Sequence, residues 1–203
     1  MKNWTWAAAL AVTTIGLAPA NASTVPIVGG ETEITVTTSL DFLDVALVPT
    51  GTATVEEVDS LPVFTFPITG GVAVDPADAL IEHEGSGVGL NSPTVTATIG
   101  DFFIDTISQN VLGVVNGGSE TVELFTFGDT TSDDGIELLI SPMLAGVLVG
   151  VFAAPDLTGN QFGFATTAPE VVVAPVPLPA TGVLLVAGLG ALGFVARRRQ
   201  RAG

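Results

Sequence analysis

The chain of 203 residues has no cysteine, no tyrosine, one histidine and only five basic residues. Without cysteine there is no disulfide, no thiolate nucleophile and no thiolate metal site, although the compartment is left open by this. Base is scarcer than the total suggests. Lys2, Arg197, Arg198, Arg199 and Arg201 are the whole set, so nothing from Asn3 to Ala196 carries Lys or Arg. All 21 acidic residues lie between Glu31 and Glu170. A domain freed of both ends therefore carries a formal charge of −21, with His83 its one possible side-chain cation. Such a surface cannot neutralise phosphates, which excludes nucleic-acid binding as a function. It repels anionic lipids and polysaccharides unless divalent cations bridge them. Internal Lys or Arg salt bridges are ruled out, so stability must come from apolar burial and backbone hydrogen bonds.

Apolar residues make up 47% of the chain, mean hydropathy is +0.62, and the longest apolar runs sit at the two ends. Between residues 23 and 166 Thr, Val, Ile and Phe alternate among Gly, Pro, Asn and Asp breakers, a strand-like choice. The pattern predicts strands over 33–38, 42–48, 52–58, 63–68, 80–84, 94–99, 102–107, 111–115, 121–127 and 162–166. Turns are expected at Gly29-Gly30, Gly70-Gly71, Gly85 to Gly89 and Gly117-Gly118. Phe102-Phe103-Ile104, apolar between Asp101 and Asp105, reads as a core strand. The fold class this implies is all-β, an antiparallel β-sandwich-like ectodomain. One interruption breaks the strand pattern. Ser141-Pro142 is a helix N-cap followed by a first-turn proline, so a short helix from Pro142 to Phe152 is expected to plug the β core. Residues 167–175 read as an extended linker.

The N-terminal 22 residues have the layout of a secretory signal peptide. Lys2 supplies the positive start, Trp4 to Leu17 the apolar stretch, and Ala20-Asn21-Ala22 the small-x-small box, which places signal-peptidase cleavage before Ser23. At the other end Val176-Pro177-Leu178-Pro179-Ala180 precedes sixteen uncharged residues, 181–196, and then the basic stop Arg197, Arg198, Arg199 and Arg201. As a helix that run covers about 24 Å, against a hydrocarbon core of about 30 Å. The arginines hold the end in the cytoplasm and the ectodomain outside.

This three-part tail resembles the PEP-CTERM class of sorting signals, and more specifically its VPLPA-CTERM variant, over about residues 175–201. The resemblance implies an exosortase-like membrane protease of a Gram-negative bacterium as processing partner. It also implies an inner-membrane-anchored precursor and a surface or biofilm-matrix destination, with extracellular polysaccharide as a candidate partner. Leu178-Pro179-Ala180-Thr181-Gly182 also satisfies the LPxTG pattern of sortase substrates, and an unprocessed tail anchor would share the same helix and basic end.

Three internal features could carry chemistry. Glu82-His83-Glu84 on a strand points its acids to one face and its imidazole to the other, so the three cannot hold one ion; an exposed strand end before a turn is expected. The loop containing Asp129, Asp133, Asp134 and Glu137 is oxygen-rich, which suits Ca²⁺, yet its spacing departs from an EF-hand. Asp75, Asp78 and Asp156 read as turn residues. For haem, His83 and Met143 are the remaining candidate axial ligands. No catalytic residues are expected. The sequence is that of a noncatalytic exported surface protein, with a secreted module for a small ligand or a Ca²⁺-bridged glycan as the alternative.

Overall fold

The structure is a computed structural model that describes residues 24–38, 44–75, 78–129, 135–172 and 197. Eleven strands and one helix follow in order: β1 (Val25–Val36), β2 (Ala46–Gly51), β3 (Thr54–Val58), β4 (Leu61–Pro67), β5 (Gly70–Asp75), β6 (Asp78–Asn91), β7 (Thr96–Asp105), β8 (Asn110–Val115), β9 (Thr121–Phe127), β10 (Ile136–Ile140), α1 (Pro142–Phe152) and β11 (Gln161–Val171). Every strand pairing is antiparallel. The all-β expectation with one short helix holds, and the sandwich-like arrangement takes the form of a single sheet curled on itself.

The sheet runs β11-β10-β9-β8-β7-β6-β5-β1-β4-β3, and β11 also pairs with β1. That last pairing closes a ring through β1, β5, β6, β7, β8, β9, β10 and β11. Two elements lie off the ring: β2 continues the edge of β6, and the β3–β4 hairpin continues the edge of β1. The alternation of each strand sends one set of side chains inward. Phe64, Phe66, Ile81, Leu124, Phe125, Leu138 and Ile140 are all at most 2% exposed. Hydrophobic burial of this set is the main favourable term in a domain that has no Lys or Arg to form ion pairs.

The helix forms for the reasons its sequence suggests. Ser141 Oγ accepts from Leu144 N at 3.1 Å, and Pro142 occupies the first turn, where a missing N–H costs nothing. The same hydroxyl donates to the Glu123 carbonyl, fixing the helix start to β9. The helix ends at Ala153, in the left-handed region at φ 53°. Leu144 and Leu148 turn inward against Leu47, Leu90, Ile99, Ile140 and Phe162. They fill the barrel end opposite to the one where β1 begins and β11 stops.

Several boundaries differ from expectation. The predicted strands 94–99 and 102–107 are one strand, β7, bulged at Gly100 and Asp101, where Asp101 takes φ 48°. Gly85 to Gly89 are not a turn. They lie inside the 14-residue β6, whose register slips between His83 and Gly87 around Gly85 at φ 75°. Gly29-Gly30 likewise sit within β1. A glycine bulge and a glycine turn use the same positive-φ residue, so the letters alone do not separate them. Strands β5 and β10 were not anticipated, and residues 167–171, expected in the linker, belong to β11. Phe42 falls outside the described residues.

Closure of the ring demands close approach of backbones. A Cβ at Gly163 would stand 2.1 Å from the Thr35 carbonyl oxygen, where no side chain fits. Gly163→Ala should therefore lower unfolding free energy by about 2–3 kcal/mol, read as a lower denaturant midpoint. An unchanged midpoint would show that the β1–β11 seam is looser than described.

Candidate functional site

His83 is the chain's sole histidine, and β6 carries it inward. Ala79, Ile81 and His83, two residues apart, are 4%, 1% and 1% exposed. The exposed strand end expected from Glu82-His83-Glu84 is thus corrected for the histidine. The opposite phase of the two acids is as the alternation requires, with Glu84 exposed and Glu82 half-buried. His83 Nε2 lies 2.8 Å from Thr32 Oγ1, and Thr32 Oγ1 bonds Thr167 Oγ1 at 3.1 Å. Thr32 and Thr167 face each other across the β1–β11 seam, so one polar chain links β6, β1 and β11 through the barrel interior.

The surroundings are apolar. Phe66 meets the imidazole edge-on at 6.4 Å between centroids and Phe102 at 5.1 Å. A cavity of about 10 Å³ borders His83, room for no more than one water. Nδ1 makes no hydrogen bond of ordinary geometry, although the Phe102 backbone acts on the ring in favour of its charged form. Because Thr32 Oγ1 donates to Thr167, it accepts from His83, and the ring hydrogen belongs on Nε2. Burial lowers the His83 pKa from 6.5 to about 4, partly offset by the Phe102 backbone. No nucleophile addresses the ring, since Ser86 Oγ donates to the His83 backbone carbonyl instead. Met143 is 53% exposed on α1. It does not share a site with His83, so the two candidate haem ligands are not brought together.

The acidic loop is described only at its base. Gly128 N donates to the Glu137 carbonyl and Glu137 N to the Asp129 carbonyl, both at 2.9 Å. Asp129 N donates to Glu137 Oε2, also at 2.9 Å. The structure therefore brings Asp129 and Glu137 together, with one carboxylate oxygen engaged by backbone. A side chain at position 128 would collide with that oxygen at 2.3 Å. Asp133 and Asp134 lie outside the described residues. Among the described residues, no three His, Asp or Glu side chains gather to hold a metal. Asp156 does act in a turn, accepting from Thr158 Oγ1 at 2.6 Å and Thr158 N at 3.0 Å, and these bonds lower its pKa. Asp75 and Asp78 close the β5–β6 hairpin as register partners.

A surface depression of about 180 Å³ opens beside the β6–β7 bulges, bordered by Thr50, Gly85, Ser86, Thr98, Gly100 and Asp101. Asp101 Oδ1 accepts from Gly85 N at 2.7 Å, which holds the two bulges together. No aromatic side chain lines it to stack on a sugar ring.

The fold thus presents a closed all-β domain whose last strand leads out beside its first. Ile27 pairs with Val171, and Val172 N donates to the Pro26 carbonyl at 3.3 Å. Just beyond this exit, residues 175–199 match the family described as PEP-CTERM protein-sorting motif. The match marks the chain as an exported protein with a membrane-anchored precursor, addressed to an exosortase-like enzyme. No curated protein and no solved structure matches the chain. The motif Val176 to Ala180, Arg198, Arg199 and Arg201, and the cleavage box Ala20, Ala22 and Ser23 lie outside the described residues; Arg197 is exposed. No helix among the described residues is long and apolar enough to cross a membrane.

The buried imidazole generates a stability signature. Folding lowers its pKa, so its contribution is complete above pH 6.5, declines as pH falls toward 4, and levels off below that. The span amounts to about 3 kcal/mol. Denaturant unfolding of the protein and of His83→Gln at pH 7 and pH 4 cancels the carboxylates common to both. The wild-type advantage should shrink by about that amount, and a pH-independent difference would refute the burial of a neutral ring.

Proposed function

We propose that the chain is a noncatalytic surface or extracellular-matrix protein, exported through a cleaved signal peptide and released from or fixed at the envelope by exosortase-type processing of its tail. The observation that carries this reading is the run of β11 into the sorting motif, with three residues, 173–175, between Val172 and Val176. A domain so built hangs directly on its address label. The chemistry of the interior supports a noncatalytic role: the histidine is used up in holding strands, and Asp101, Asp105, Glu137 and Asp156 serve backbone amides at turns and bulges. The acidic, base-free exterior suits a saline or polysaccharide-rich surrounding, where counterions screen its self-repulsion.

Processing separates this reading from its rivals. The two prolines fix φ and stop a membrane helix from propagating outward, leaving an extended segment for a protease. Pro177→Ala with Pro179→Ala should leave an uncleaved precursor, still carrying Arg197 to Arg201, in the membrane fraction of the native host. Mass spectrometry of the wild-type surface form should show an N-terminus at Ser23 and no arginine cluster. Changing Thr181 and Gly182 should spare maturation by a VPLPA-directed enzyme and cripple maturation by a sortase. Normal maturation of the proline variant would refute recognition through the two prolines, and a wild-type surface form that keeps the arginine cluster would leave only a tail anchor.

A further inference from the structure

The ring has one joint that strand pairing does not seal. At the level of Thr32 the neighbour of β1 is β4, with Thr32 opposite Phe66. β4 pairs with β1 and β3 but not with β6, and β5 bridges β1 to β6 only at Val25 and Pro26. On its outer side the joint is tied by exposed bonds. Thr69 N donates to the Glu82 carbonyl at 2.8 Å, Glu84 N to Thr69 Oγ1 at 2.8 Å, and Thr52 N to the Gly85 carbonyl at 3.0 Å. On its inner side the tie is His83 to Thr32, with Phe66 against the imidazole.

We propose that this joint is an acid-opened latch: neutral His83 clips β6 to β1 and β4, and a proton on its Nδ1 loosens the β3–β4 hairpin while the eight-stranded ring itself stays paired. The added charge has no counter-ion inside. Thr32 and Ile34 from β1, Phe66 from β4, Phe102 and Ile104 from β7, Val111 from β8, Leu138 from β10 and Ala165 from β11 surround it, and none is titratable. Glu82 and Glu84 flank it in sequence on the opposite face of β6, and Glu31 and Glu33 lie exposed on β1. A cation in such a place must reach water. The shortest route passes through the joint, because β3 is exposed at every residue and its outer edge has no strand partner, whereas ring strands are held on both edges. Phe64 and Phe66, each 1% exposed, oppose opening and keep the latch shut at neutral pH. The proton therefore raises the population of an opened minor state rather than replacing the closed one.

The experiment is amide hydrogen exchange on the full chain in phosphatidylcholine nanodiscs from pH 7 to pH 4, corrected for intrinsic rates, for wild type and His83→Gln. Glutamine keeps a donor for Thr32 and does not titrate. The expected result is an about 100-fold loss of protection at pH 4 in residues 54–67, far beyond the loss in β7 to β9, and absent in His83→Gln. Should that variant fail to fold, the wild type alone decides. The single histidine gives one ¹⁵N imidazole signal, and the midpoint of the hairpin's protection loss must follow its titration. An even loss across the sheet, a hairpin still protected once the imidazole is charged, or the same loss in folded His83→Gln would each overturn the latch.

Discussion

Nine register pairs between β1 and β11, from Ile27 opposite Val171 to Val36 opposite Gly163, turn a row of hairpins into a closed body. Most other pairings in the ring join neighbours in sequence through short connections and could form locally. This one joins residues some 130 apart and fixes everything that follows: the inward faces share one core, α1 finds an end to fill, and Thr167 comes within reach of Thr32. Glycine at 163 is what lets the seam close, because the Thr35 backbone occupies the place of a side chain.

A domain with 21 carboxylates and no Lys or Arg between its ends has to use its acids differently from an ordinary protein. Several are spent on backbone amides at turns and bulges. Asp105 accepts from Ile107 N and Ser108 N, Asp101 from Gly85 N, Glu137 from Asp129 N and Asp156 from Thr158 N. Bonds from Ser108 lead the lowering of the Asp105 pKa, as expected of a carboxylate bonded in its charged form. The exposed hairpin strand β3 keeps Glu56 and Glu57 on the free edge, where like charge discourages pairing with another copy.

Where local chemistry decides, the sequence was readable. Ser141-Pro142 marked the helix start, and the apolar core of β7 showed in Phe102 and Ile104. The tail motif was legible because it is read as a linear string. Long-range geometry was not legible. Neither the β1–β11 closure nor the bulges that keep β6 and β7 continuous leaves a mark that a turn would not also leave. His83 was the instructive miss. Its acidic neighbours suggest a solvated strand end, whereas the phase of Ala79 and Ile81, four and two residues before it, points inward. The acids at 133 and 134 lie outside the described residues, so for the loop only its base, Asp129 with Glu137, is brought together.

The order in which the strands are made has a consequence for export. A chain threaded across a membrane from its N-terminus delivers β1 early and β11 last, and the ring cannot close until residue 171 has emerged. Throughout translocation the first strand must wait with one edge open, and its partner arrives just ahead of the segment that halts in the bilayer. Contacts so distant in sequence form slowly. The membrane-held tail gives the new strand a stationary end, so that the search for β1 takes place within one tethered molecule rather than in free solution.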